Sequence, residues 1–182
     1  MIQGRVVERL HICGKQAVFR YPKFDDLDDL FRLICTIVDE KAMLSIQKKP
    51  TRREEIQWLS NLLVEVENRE TVHLVLELQG EVVGSASVER EKSACQNHVG
   101  HLGIMLRRDI RGKGLGARLL DIIIEEATKV LKVNIMKLRV MGTNETAQKL
   151  YRRCGFEEVG RIRNGLRHYD RYADEITMVR YL

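Results

Sequence analysis

The stretch Arg111-Gly112-Lys113-Gly114-Leu115-Gly116 carries the densest chemistry in this sequence of 182 residues. Three glycines in so short a run let the backbone take left-handed conformations and approach a ligand closely, because no Cβ stands in the way. Set before a helix, their N–H groups and the helix's positive end make a cradle for an anion. Arg111, Lys113 and Arg118 add cations, with Arg107 and Arg108 behind them, which suits a polyphosphate. The same glycines also serve a plain tight turn, and the loop alone does not separate the two uses. Its neighbours narrow the ligand. A nucleotide P-loop requires Gly-Lys followed by Ser or Thr, whereas Lys113 is followed by Gly114. A dinucleotide site requires an acid at the end of the next strand, about 20 residues on, and Lys132 to Lys137 contains none.

The elements that must hold this loop follow from periodicity. Val6, Val7, Leu10 and Ile12, then Ala17, Val18 and Phe19, read as two strands about a turn at Gly14-Lys15. Asp25 is placed as the N-cap of a first helix, with Asp26, Asp28 and Asp29 at its positive end and Leu27, Leu30, Ile34 and Ile37 on one face. Thr51 and Glu54 have capping-box spacing before a second helix, whose Ile56, Leu59, Leu63 and Val66 form a stripe with Trp58 packed beside it. Alternation over Val72, Leu74, Leu76 and Leu78, then Val82, Gly84, Ala86 and Val88, predicts a hairpin turning at Gln79-Gly80. Glu91 to Asn97 is a polar loop, and His98 to Leu106 a strand feeding the glycine loop. Leu115, Leu119, Ile123 and Val130 mark a helix, Ile135 to Met141 a strand parallel to the previous one, Glu145 to Arg153 a short helix, and Glu157 to Arg163 and Arg171 to Tyr181 two closing strands. The class is α/β (α+β): a mixed sheet of about seven strands flanked by about four helices.

With 44% hydrophobic and 31% charged residues and two prolines, the chain is expected to fold throughout as one domain, residues 1–182, with 1–14 an extension strand. The net charge of +5 comes from basic residues interleaved with acidic ones, so nucleic acid is not the expected partner. Cys13, Cys35, Cys95 and Cys154 have no metal-ligand spacing, nor do His11, His73, His98 and His168, and no metal is assigned. No apolar run reaches the roughly 20 residues of a membrane span, and reduced thiols in the cytoplasm are expected.

Two motifs together resemble the GNAT superfamily of N-acetyltransferases. The loop from Arg111 matches its coenzyme A loop, Gln or Arg, two residues, Gly, any residue, then Gly or Ala. Asn144, Ala147, Leu150, Tyr151, Gly155 and Phe156 stand at the spacing of its later Asn-x-x-Ala-x-x-Leu-Tyr-x-x-x-Gly-Phe segment. The resemblance covers nearly the whole chain and implies the GNAT fold, with two parallel strands splayed apart at the cofactor site. It implies acetyl-coenzyme A as cofactor, bound by Leu102, Ile104, Met105 and Leu106 along the strand, by Arg111, Gly112, Lys113, Gly114, Leu115 and Gly116 in the loop, and by Asn144, Ala147 and Tyr151. Asn144 before Glu145 is equally a good helix N-cap.

By the same resemblance Tyr151 is the catalytic proton donor to the departing sulfur. An alkyl ammonium needs a base before it can attack, since its pKa is about 10.4. Relatives place a Glu on the strand before the loop; that neighbourhood here holds His101, with Glu89 the alternative through water. His101 shares a strand face with Val99 and Met105, where a merely packed histidine also fits. Cys154 is read as packing. The acceptor is expected to be a small-molecule amine; alternatives are a protein N-terminus or lysine, as on a ribosomal protein, or a coenzyme A-binding module without turnover. Asp25, Asp26, Asp28, Asp29, Asp39 and Glu40 fit helix-dipole chemistry better than substrate attraction. An edge strand in the closing hairpin offers a possible homodimer contact.

Overall fold

The computed structural model describes residues 2–12 and 14–182; Cys13 and Met1 lie outside the described residues. One eight-stranded sheet runs through them, in the order β1-β2-β3-β4-β5-β6-β8-β7. Strand β1 is Val6–Ile12, β2 Lys15–Arg20, β3 Thr71–Leu78, β4 Glu81–Arg90, β5 Val99–Leu106, β6 Ile135–Met141, β7 Glu157–His168 and β8 Arg171–Tyr181. The helices are α1 Leu27–Asp39, α2 Arg52–Glu67, α3 Leu115–Leu131 and α4 Glu145–Arg153. All pairings are antiparallel except β5 with β6. The strand count exceeds the expected seven because β1 joins the sheet as an antiparallel partner of β2, with one register shift between Val6 and Glu8. It is bound there by Arg5 to Glu126 of α3 and by Arg118 of α3 to Glu8, Nε to Oε1 2.8 Å.

The two faces of the sheet are covered differently. Helix α3 lies on one face, its buried Leu115, Leu119, Leu120, Ile123, Ala127 and Leu131 packing on the strands. Helices α1 and α2 lie on the other: Trp58 of α2 meets His73 of β3 edge-on, ring centroids 5.8 Å apart. Strand β3 is therefore buried on both sides from Thr71 to Leu76, which explains why its residues are apolar beyond simple alternation. No described helix is long and apolar enough to cross a membrane.

Several local expectations change. Asp25 does not cap α1. Residues Phe24–Asp26 form a 3₁₀ turn and Asp26 occupies the N-cap position, because its carboxylate is buried against Arg20 (2.7 and 2.8 Å) and accepts from Lys23 N. Moving Asp26 out of this position would leave the buried Arg20 charge unpaired, which holds the entry to α1 where it is. The capping box of α2 forms as read, Glu54 N donating to Thr51 Oγ1 and Thr51 N to Glu54 Oε2. Within the α2 stripe Leu59, Leu63 and Val66 are buried, but Ile56 and Trp58 are more than a third exposed. Strand β7 runs on to His168, five residues past the expected Arg163, held by pairing with β8. The described cysteines Cys35, Cys95 and Cys154 are free thiols.

Candidate active site

The site begins where two parallel strands part. Strands β5 and β6 pair at Val99 with Ile135, Gly100 with Met136 and His101 with Lys137. Beyond that point β5 stays on β4 as far as Leu106, opposite Gly84, and β6 stays on β8 as far as Met141, opposite Glu175. A wedge opens between them, and along one side of it the backbone of Leu102 to Leu106 faces no strand among the described residues. Backbone N–H and C=O groups demand partners, so this edge is suited to an extended ligand with amides of its own.

At the mouth of the wedge lies the glycine loop. Gly112 and Gly114 take φ of 76° and 80°, left-handed values that a side chain would strain, and open space surrounds both. Gly114 is the N-cap of α3, so the first N–H groups of that helix point outward with its positive end behind them. Gly116 has a different role: a Cβ there would stand 2.9 Å from Leu106 Cδ1, so its absence lets α3 close onto the end of β5. The arginines expected near an anion are mostly engaged elsewhere. Arg111 donates to Glu40 Oε2 (2.7 Å) and to the Leu106 carbonyl (2.8 Å), while Arg107 pairs with Asp109 and Glu81 and Arg118 with Glu8. What remains for an anion is backbone N–H with the exposed side chains of Lys113 and Arg108. These residues fit a pyrophosphate group through their donors.

Helix α4 reaches the same opening. Gln148, buried, donates to the carbonyls of Met141 (3.2 Å) and Gly142 (2.9 Å), anchoring α4 at the end of β6. Leu150 approaches within 3.7 Å of the position a Gly116 Cβ would take, so α4 touches the start of α3. The two sequence motifs thus meet at one mouth. Asn144 caps α4, its Oδ1 accepting from Ala147 N at 3.2 Å. Tyr151 is buried, edge-on to Phe156 at 6.0 Å. Burial, with the Cys154 thiol a lesser cause, pushes its hydroxyl pKa up to about 12, and no hydrogen bond contributes. Such a phenol is a proton donor throughout the neutral range.

On the α1–α2 face, at the base of the wedge, stands His101. Its Nε2 lies 2.5 Å from Glu91 Oε1, and Lys137 Nζ is 4.0 Å from the same oxygen. Glu89 sits opposite His101 in the β4–β5 register but is exposed. Glu91 was invisible to periodicity, being a polar residue in a polar loop; only the strand register brings it to His101. Gln148 was likewise missed, since it works through backbone carbonyls, and Glu40, read as part of the acidic cluster at α1, instead pairs with Arg111 of the glycine loop.

A wall closes one side of this face. The tip of the β7–β8 hairpin is bound to the α1–α2 connection: Gln47 Nε2 donates to Arg167 O (2.8 Å), Tyr169 N to Gln47 Oε1 (2.7 Å) and Tyr169 OH to Val38 O (3.2 Å), with His168 Nε2 3.0 Å from Ala42 O. Most of the acidic cluster is structural, with Asp26 on Arg20, Asp28 on Arg52, Asp39 on Lys49, Glu40 on Arg111, and Asp29 accepting from Val82 N.

Comparison with known proteins agrees with this geometry. The model of the acetyltransferase (GNAT) family matches residues 29–156. An L-amino acid N-acetyltransferase, AaaT of Escherichia coli, is 28% identical over 59% of this chain and 66% of its own length. An L-methionine sulfoximine/L-methionine sulfone acetyltransferase of Pseudomonas aeruginosa is 34% identical over 52% of this chain and 55% of its own. The chain thus spans between about half and two thirds of these curated relatives. A ribosomal-protein-alanine N-acetyltransferase from Brucella melitensis has the same fold, with a TM-score of 0.80 and 27% identity over 90% of this chain and 99% of its own.

Proposed function

The chain belongs to the GNAT family of acetyltransferases, and from that premise we propose that it is an enzyme carrying the acetyl group of acetyl-coenzyme A directly to the amine of a small molecule. Acetyl-coenzyme A supplies an acetyl group already activated as a thioester. In this reading the N–H groups of Gly112, Gly114, Leu115 and Gly116, with Lys113 beside them, hold its pyrophosphate. The backbone edge from Leu102 through Ile104, Met105 and Leu106, where the Leu106 carbonyl is already taken by Arg111, hydrogen-bonds its amide-bearing arm, and Asn144 and Ala147 line the α4 side. Tyr151 donates a proton to the sulfur that leaves. His101 takes the proton that the ammonium must lose, leaving a lone pair to attack; Glu89 is the alternative acceptor, through water.

The observation that supports the small-molecule reading is the set of contacts among Gln47, Arg167, His168 and Tyr169, which joins the β7–β8 tip to the α1–α2 connection and in this reading bounds the acceptor side of the wedge. A pocket bounded in this way, with the carboxylates of Glu89 and Glu91 nearby, suits a compact ammonium. The amino-acid acceptors in the names of both curated relatives point the same way. The Brucella structure, whose name specifies a protein alanine, favours a second reading in which the acceptor is a protein N-terminus.

The test is thiol release from acetyl-coenzyme A with amino acids, their sulfone and sulfoximine analogues, polyamines and peptides bearing an N-terminal alanine, with cofactor binding followed in parallel. Turnover with one of the small amines and none with peptides is the expected result. Turnover with peptides alone would replace the small acceptor by a protein, and binding with no turnover on any amine would leave a coenzyme A-binding module.

A further inference from the structure

Glu91 lies just past the end of β4, where its N–H donates to Val99 O (2.9 Å) and so closes the approach to β5. That closure turns its side chain over the sheet onto His101. The carboxyl group is half-buried, with Oε1 2.5 Å from His101 Nε2 and 4.0 Å from Lys137 Nζ. We propose that Glu91 is a positioning residue for the transfer reaction, fixing the His101 ring so that Nδ1 is the nitrogen that receives the proton of the acceptor ammonium. The proposal rests on the reading of His101 as the proton acceptor.

A carboxylate can only accept a hydrogen bond, so the Glu91 contact requires the proton of a neutral His101 to reside on Nε2. The lone pair is then on Nδ1. Without a partner, an imidazole divides between two tautomers and rotates about its side-chain bonds, and part of the population presents N–H where a base is needed. When the ammonium passes its proton to Nδ1 the ring becomes a cation, and the adjacent carboxylate stabilises it where it stands. The Lys137 ammonium faces the same oxygen from β6 and offsets part of the carboxylate's charge. Of the two acids near His101, Glu89 lies opposite it in the register yet is exposed, whereas Glu91 makes the contact.

A double-mutant cycle on the full chain tests this, using the best acceptor amine and saturating acetyl-coenzyme A. Glu91→Ala is expected to lower kcat by at least about tenfold, and His101→Ala by roughly 10²-fold, with KM for acetyl-coenzyme A little changed in either. Combining them should be no worse than His101→Ala alone, because Glu91 acts only through the ring. Nitrogen NMR of the neutral imidazole is expected to show Nε2–H in the wild type and a tautomer mixture in Glu91→Ala. A wild-type ring protonated at Nδ1, a Glu91→Ala enzyme with undiminished kcat, or a Glu91→Ala loss that persists in the His101→Ala background would each overturn the proposal. If His101→Ala is slow and Glu91→Ala is not, the base stands and only the positioning role falls. Should His101→Ala keep the wild-type kcat, both fall together.

Discussion

A phenol whose pKa is pushed up to about 12 by burial holds its proton some two units beyond an ordinary tyrosine. The shift matters for a donor only at the alkaline end, because a hydroxyl that ionised near pH 10 would lose the proton it gives to a leaving sulfur as the pH rose through that value. Tyr151→Phe removes the hydroxyl and leaves the ring against Phe156, so packing and cofactor binding should survive. The expected result is a kcat lower by about 10²-fold at unchanged affinity for acetyl-coenzyme A, with residual turnover sustained by positioning, which supplies roughly 7 to 11 kcal/mol of its own. The wild-type rate should show no alkaline decline from this group around pH 10. A Tyr151→Phe enzyme as fast as the wild type would remove the residue from the chemistry, and its place would then be explained by the edge-on contact that secures α4.

The helices and strands that build the site were largely legible in the sequence, and the reason differs from one element to the next. Helix α4 and strand β6 were read with the bounds they have, because Asn144 is a strong cap and the apolar alternation of β6 ends sharply at Gly142. The first turn of α1 was misplaced because a cap rule sees Asp25 as a local acceptor and cannot see Arg20, which draws Asp26 into the interior at the end of β2. The splay of β5 from β6 entered only through the family resemblance. It is a failure of pairing between two strands that each remain paired on their other side, and no local pattern encodes it. The contact between the β7–β8 tip and the α1–α2 connection was illegible for the same reason: Gln47 and Tyr169 lie 122 residues apart. The glycine loop is the element whose sequence and geometry agree most closely, and it supports a sharp expectation. Gly114→Val forces a branched side chain into φ 80° at the N-cap of α3, which costs on the order of 1 to 3 kcal/mol of backbone strain. The donors of the first turn then lose their aim. KM for acetyl-coenzyme A is expected to rise about tenfold or more while kcat at saturation falls less; a change confined to kcat would show that the loop does not hold the pyrophosphate.

Stability of the molecule as a whole depends on a histidine outside the proposed chemistry. His73 lies in β3 beneath α2, fully enclosed, with Nε2 lacking a partner among the described residues and Trp58 edge-on to its ring. Burial disfavours its charged form and pulls its pKa from 6.5 down to about 4. The unfolded chain takes up a proton near pH 6.5 while the folded chain resists until about pH 4. The stability tied to His73 is therefore complete above pH 6.5 and is lost as pH falls through that window. The difference of about 2.5 units corresponds to about 3 kcal/mol, a sizeable part of the 5 to 15 kcal/mol that holds a typical domain together. Glu55 acts in the opposite sense, since burial pushes its carboxyl up, and its contribution is common to wild type and variant. Replacing His73 by Phe keeps an aromatic ring beneath Trp58 and removes the titration. Urea unfolding at pH 7 and at pH 4 should show the wild type losing about 3 kcal/mol more than His73→Phe between the two conditions, whatever the variant's stability at pH 7. Parallel losses would mean that water or a ring rotation reaches His73 in the folded state, and that the seal of α2 over the sheet is looser than the contact with Trp58 implies.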